Sequence, residues 1–181
     1  MPTLKTSLTF LHVSELKDIA SKLSLPTDGK KMPLIQRILH FLDTGTILHS
    51  PEIPDISKAR KGTHYPLAPS TLILKNSYKN DLATRLFFKK IIGEYFHFTA
   101  FGIDWINEKW LAGNPPTYQE FADMWKSEYA RRKVNPTAPK EEWAYINFVQ
   151  KYGDAPHDEI IRAWNEERTK HVENVGCLLN L

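Results

Sequence analysis

Apolar residues near the start of the chain repeat at the spacing of one helix face. They are Val13, Leu16, Ile19, Ala20 and Leu23. This stripe predicts an amphipathic helix that buries one side. Ser14 stands at the expected N-cap, and Glu15 and Asp18 place negative charge at the positive end of the helix dipole. The helix is expected to end near Leu25, because Pro26 disfavours helical backbone in the residue before it.

A second helix is predicted after a short turn. Thr27, Asp28 and Gly29 are residue types that favour turns, and the glycine can adopt a positive φ. Pro33 fits the first turn of the helix, where its missing N–H group costs nothing, and Gly45 is the expected stop. The apolar stripe expected to pack on the first helix consists of Leu34, Ile35, Ile38, Leu39 and Leu42.

The loop between these two helices carries Gly29, Lys30 and Lys31. Free backbone N–H groups at the start of the second helix, the helix dipole and two cations all favour an anion at this point, and a phosphate would fit. The alternative is a two-helix unit whose lysines are only solvated surface charges.

Residues 13–38 resemble a SAP module, which is a helix, an extended loop and a helix that usually dock on double-stranded DNA. The markers, all within the first quarter of the chain, are the Leu16-Lys17 pair, Leu25 before the loop, Gly29-x-Lys31 and Leu34-x-x-Arg37. The residues that the resemblance places against the DNA backbone are Lys17, Lys22, Gly29, Lys30, Lys31 and Arg37. Ser24 stands where the family often has glycine, so the tight turn there is expected to be adjusted or less strained.

From Thr44 to Ala68 the composition shifts to prolines, small polar residues and a basic cluster. Few apolar positions are periodic here, and prolines favour extended backbone, so we interpret residues 44–68 as a linker. Lys58, Arg60 and Lys61 are candidates for additional phosphate contacts. A solvated hinge without contacts to DNA is the alternative.

From Pro69 to about Lys170 the chain resembles a C-terminal domain that follows SAP modules in bacterial proteins and is catalogued as a domain of unknown function. The resemblance implies a bacterial type of protein and names no activity. Asn80 is the expected N-cap of a helix from Asp81 to Ile92 that ends at Gly93. The side chains predicted to be buried on this helix are Leu82, Leu86, Phe87 and Ile91.

The remaining pattern indicates two similar α-hairpins. The first pairs a helix over residues 96–110 with one opened by a capping box at Thr117 and Glu120, and the second pairs residues 143–152 with a helix from His157. Packed on the helix over residues 81–92, they predict a body of about five helices. The predicted organisation is a SAP-like module over residues 1–43, a linker over 44–68, a helical domain over 69–172 and a tail over 173–181.

Each hairpin can also be compared with a helix-turn-helix reader of the DNA groove. The starts of the second helices are acidic, at Glu120, Asp158 and Glu159, which disfavours contact with DNA there. The aromatic residues are interpreted as core rather than as a platform for bases. They are Phe96, Phe98, Phe101, Trp105, Trp125, Trp143, Phe148 and Trp164.

The charge is uneven although the net charge of the 181 residues is only +3. Residues 1–80 hold eleven Lys and Arg against six Asp and Glu, and residues 81–181 hold thirteen against fifteen. This asymmetry suits a nucleic-acid-binding end joined to a body with another role. The apolar runs are too short to span a membrane or form a signal peptide, and Cys177 has no second cysteine to pair with, so a reducing cytoplasm is expected.

No catalytic constellation is evident. The seven histidines are scattered without the spacing of metal ligands, and the chain has neither a phosphate-binding glycine loop nor a nucleophile elbow. We therefore expect no enzyme activity, cofactor, metal or small-molecule substrate. The predicted function is DNA tethering by the SAP-like module, with the C-terminal body binding a protein partner or a second copy, and with association with the bacterial nucleoid. The alternative is a protein-interaction adaptor that does not bind nucleic acid.

Overall fold

The computed structural model describes residues 2–180 and confirms a mainly helical fold. The helices of the described residues are α1 (Leu4–Leu8), α2 (Val13–Lys22), α3 (Lys31–Thr44), α4 (Leu82–Ile92), α5 (Ala100–Leu111), α6 (Tyr118–Val134), α7 (Ala144–Val149) and α8 (His157–Leu179). A short 3-10 helix covers Asp55–Ser57. The chain forms two compact units, one of residues up to Ser50 together with those from Ala138 onward, the other of Pro51–Thr137. We call them unit one and unit two.

The core of unit one joins α2 and α3 to elements from both ends of the chain. The predicted stripes of α2 and α3 meet there, although Val13 and Leu42 at their ends are exposed. Leu8 of α1 is fully buried in the same core, and Val175 of α8 is 3% exposed. A helix-loop-helix of this size buries little apolar surface by itself. In this chain, α1 and α8 enlarge its core.

A buried polar contact also joins α1 to α8. Ser7 Oγ lies 2.9 Å from His171 Nδ1, and Asn174 Nδ2 donates to the same hydroxyl at 2.9 Å. The ring of Phe10 stacks on His171 with 3.7 Å between ring centroids. Burial lowers the pKa of His171, and the carboxylate of Glu167 opposes that decrease. The polar groups enclosed between the two helices are therefore paired, as burial requires.

Unit two is built around aromatic side chains. Trp125 and Phe88 are fully buried, and the ring of Phe88 lies 4.7 Å from that of Phe121. Trp110 Nε1 donates to the carbonyl of Ile73 at 2.7 Å, which fixes the extended segment before α4 on this core. The aromatic residues predicted as core are buried or partly buried in their own units, except Trp143, which is exposed.

α4 packs through a different face from the predicted one. Its N-cap is Asp81, which accepts from the Thr84 N–H at 2.9 Å, and Asn80 lies one residue outside. The buried residues of α4 are Thr84, Phe88 and Ile92. Leu82 and Leu86 are 66% and 56% exposed, and Phe87 and Ile91 are partly buried. α4 is apolar on two sides, so periodicity alone does not select the face that meets the aromatic core.

The predicted hairpins exist, but they do not form one body. α5 and α6 belong to unit two, whereas α7 and α8 belong to unit one. The capping box that opens α6 is present, since Glu120 N donates to Thr117 Oγ1 at 3.1 Å and Thr117 N donates to Glu120 Oε2 at 2.7 Å. The predicted tail is also different, because α8 continues through residue 179.

The segment predicted as a linker is part of both units. Residues 44–50 belong to unit one, and residues 51–68 belong to unit two. Within unit two, Ala59 N donates to the carbonyl of Lys75 and Lys75 N donates to the carbonyl of Ser57, both at 2.8 Å. These hydrogen bonds fix the segment on its unit, so the compact units divide the chain at other positions than the predicted boundaries.

No helix among residues 2–180 combines the length and apolar character needed to cross a membrane. In the same part of the chain, no three or more His, Cys, Asp and Glu side chains are grouped so that they could hold a metal ion.

Candidate nucleic-acid interface

The start of α2 is capped two residues earlier than predicted. His12 is the N-cap, and its backbone N–H donates to the carboxylate of Glu15, while Ser14 lies inside the helix and is exposed. Glu15 also accepts from Arg168 of α8. Burial raises the pKa of Glu15, but the hydrogen bonds from Arg168 and His12 and the charge of Arg168 outweigh it and lower the pKa. The carboxylate thus connects the first turn of α2 to α8.

The turn that ends α2 keeps the left-handed backbone that glycine usually provides. Ser24 has φ +58°, the Ser24 N–H donates to the Ser21 carbonyl at 2.9 Å, and the Leu25 N–H donates to the Ala20 carbonyl at 2.8 Å. This pair of bonds is a Schellman motif, in which the residue after the cap is normally glycine. The turn has therefore been neither adjusted nor relieved of strain. It keeps its geometry with serine in a disfavoured conformation.

Replacing Ser24 by glycine should stabilise unit one by about 1 kcal/mol, because a residue with a Cβ is strained in this conformation and glycine is not. Urea unfolding followed by circular dichroism measures the change. Ser21→Gly is the matched control on the same helix, and we expect it to destabilise by about 0.5 to 1 kcal/mol. Equal effects of the two substitutions would contradict a left-handed Ser24.

The loop before α3 presents a glycine and a lysine to solvent. Gly29 has φ +108°, and a Cβ added there would lie 3.4 Å from Cβ of Pro33. Lys30 is the N-cap of α3, and no side chain within residues 2–180 caps this end. Pro33 has no N–H group, so the backbone donors of the first turn come from Lys31 and Met32. These donors and the exposed Lys30 side chain are the groups at this loop that the sequence predicts to contact an anion.

Lys31 differs from Lys30 in its surroundings. Its side chain is partly buried, and burial lowers the pKa of the ammonium. The carboxylates of Glu142 and Glu15 oppose that decrease, and the charge of Arg168 adds to it. The neighbouring carboxylates compete with a phosphate for the ammonium of Lys31. Lys17 and Lys22 of α2, in contrast, are exposed.

Arg37 is placed inside unit one rather than on its surface. Its side chain is 2% exposed, and its guanidinium donates to the carbonyls of Pro26, Asp28 and Leu48 and to Ser50 Oγ. The Asp28 carboxylate lies 3.4 Å from Arg37 Nη2. This placement contradicts a phosphate contact by Arg37. The residue instead joins the loop before α3 to the segment after it.

The candidate residues of the basic cluster lie on unit two. Lys58 Nζ is paired with the Asp55 carboxylate at 2.8 Å, whereas Arg60 and Lys61 are exposed. Lys79 lines the same surface depression as Arg60 and Lys61. Sequence analysis missed Lys79, because it comes near the cluster only through the hydrogen bonds between residues 57–59 and Lys75.

α2, the loop and α3 form a helix-loop-helix at the N-terminal end of the chain. The sequence model of the SAP domain family matches residues 11–43, which include α2, the loop and most of α3. Neither a curated protein nor a solved structure matches the chain. The match agrees with nucleic-acid binding in general.

Proposed function

We propose that this protein binds duplex DNA through the SAP module of unit one, mainly by contacts to backbone phosphates. The observation that carries the proposal is that the family match coincides with a start of α3 that no side chain caps within residues 2–180, beside the exposed Lys30. A bacterial protein of this kind would act at the nucleoid, in the cytoplasm.

The exposed cations define the contacts that we propose. Lys17, Lys22 and Lys30 carry charge at the surface, and the N–H groups at the start of α3 add neutral donors. Lys31 has a smaller part because carboxylates neighbour it, and Arg37 acts only by positioning the loop. Contacts of this type hold the protein on DNA without reading bases, so we expect little sequence preference.

Reversing the charge of Lys22 and Lys30 together, as Lys22→Glu and Lys30→Glu, should weaken DNA binding about tenfold or more and make the slope of log affinity against log salt shallower by about 2. Fluorescence anisotropy with A·T-rich and G·C-rich duplexes at several salt concentrations measures both quantities. Lys151→Glu with Arg162→Glu is the matched control, since both residues are exposed on unit one outside the SAP module. An equal loss in the control would overturn the proposed surface.

A second role, binding of a protein partner or of a second copy through unit two, is favoured by α4. Leu82 and Leu86 lie one turn apart and are both more than half exposed. In the adaptor alternative this would be the whole function, and the lysines would only solubilise the protein. The fluorescence-anisotropy titration distinguishes DNA binding from the adaptor alternative, because an adaptor shows no salt-dependent affinity for DNA.

A further inference from the structure

A basic depression lies on the surface of unit two. Its volume is about 510 Å³. Two chain segments form it, the turn at residues 60–63 and the segment before α4. The side chains that matter in its lining are Arg60, Lys61 and Lys79 as cations and Thr63, Tyr65 and Asn76 as neutral polar groups.

Hydrogen bonds hold the two segments in fixed positions. The carbonyl of Lys75 accepts from Ala59 N at 2.8 Å, and the Lys75 N–H donates to Ser57 at the same distance. Tyr65 Oη accepts from the backbone N–H of Arg60 at 3.0 Å, which fixes the turn that carries Lys61. The depression is therefore organised by the backbone before any ligand arrives, which reduces the entropy lost on binding.

The charge of the depression is unbalanced. Its lining contains no acidic side chain among the described residues, and within residues 2–180 neither Arg60, Lys61 nor Lys79 forms an ion pair. Two carboxylates close to these cations in the sequence have other roles. Asp55 is paired with Lys58, and Asp81 caps α4, although the charge of Lys79 helps to lower the pKa of Asp81. Three cations thus line one polar depression, and none of them forms an ion pair within residues 2–180.

We propose that this depression binds a backbone phosphate of DNA, so that the chain contacts nucleic acid from both of its compact units. The choice of DNA rests on the proposed function, and the choice of a phosphate rests on the three cations and the polar lining. An apolar anchor of a protein partner would find little to pack against, since Tyr65 is the only large ring in the lining within the described residues. When both sites hold the same duplex, the overall affinity exceeds that of either site alone.

The test uses the full chain with Arg60→Glu, Lys61→Glu and Lys79→Glu combined. We expect about tenfold weaker binding to duplex DNA and a salt slope shallower by about 2 to 3, measured by fluorescence anisotropy. The matched control is Arg85→Glu, Lys90→Glu and Lys133→Glu, which changes the net charge equally at exposed positions of unit two outside the depression. Circular dichroism of both proteins establishes that they remain folded.

Four proteins separate this proposal from the preceding one: the native chain, the Lys22 and Lys30 variant, the depression variant and their combination. If only the depression variant loses affinity, the site in unit two stands and the SAP surface is overturned. The site in unit two is overturned if the depression variant has the DNA affinity of the native chain. It is also overturned if the depression variant and its charge-matched control have equal affinities. Additive loss in the combination supports both sites.

Discussion

Arg37→Lys is expected to destabilise unit one by about 2 to 4 kcal/mol and to weaken DNA binding, although the positive charge is kept. A guanidinium donates in several directions at fixed angles, and here it reaches three carbonyls and a hydroxyl on both sides of α3. An ammonium at the end of a flexible chain cannot satisfy the same set. The carbonyls of Pro26 and Asp28 in the loop would lose these donors, and the loop that carries Lys30 would lose its fixed position.

Hydrogen–deuterium exchange measures this effect locally. The free energy of opening for the amides of α2 and α3 should fall, while that for α4 to α6 should not change, because Arg37 lies in unit one. Arg162→Lys on the exposed face of α8 is the control, and its effect should stay within about 0.5 kcal/mol. If Arg37 bound a phosphate at the surface, Arg37→Lys would keep both stability and DNA affinity, since lysine also binds phosphates. Normal stability with normal DNA affinity in Arg37→Lys would restore the contact predicted from the sequence.

The surroundings of Arg37 could not be predicted from the sequence, whereas the helices around it could. The apolar stripes of α2 and α3 and the stop at Gly45 follow from local spacing and backbone chemistry, and the structure has them. The place of Arg37 depends on the carbonyls of Pro26 and Leu48, eleven residues away on each side, and on how the chain folds around α3. A Leu-x-x-Arg pattern predicts a charge on a helix. It carries no information about which groups that charge will meet.

The division of the chain into two units could not be predicted from the sequence for a related reason. α7 and α8 repeat the helix-turn-helix pattern of α5 and α6, and the similarity favoured one body. Which core a helix joins depends on the shape and volume of its apolar face, and periodicity describes neither. α8 places Val172, Val175 and Leu179 against the SAP core, although Val175 and Leu179 lie in the segment predicted as a tail. The hydrophobic core of the matched residues 11–43 therefore includes side chains from α1 and α8, outside the match.

Val175→Ala is expected to destabilise unit one by about 2 kcal/mol, because two buried carbons are removed and a cavity remains beside the SAP core. Leu178→Ala on the same helix removes more carbon atoms, but Leu178 is 53% exposed. The control should therefore change the stability of unit one by less than about 0.5 kcal/mol. Exchange of the α2 and α3 amides is the readout, so that the stability of unit two does not obscure the result.

Ending the chain after residue 156 is the stronger form of the same experiment. Loss of α8 removes the burial of several apolar side chains, each contributing about 1.5 to 3 kcal/mol, from a unit whose total stability is expected to be about 5 to 15 kcal/mol. We expect the amides of α2 and α3 to lose protection and DNA affinity to fall, although residues 11–43 are unchanged. Full protection of α2 and α3 without α8 would show that the SAP module folds by itself in this chain. A third outcome is that the shortened chain loses protection while Val175→Ala has as small an effect as Leu178→Ala. The stabilising contact of α8 would then lie elsewhere, at the Arg168 and Glu15 pair or at His171 and Ser7.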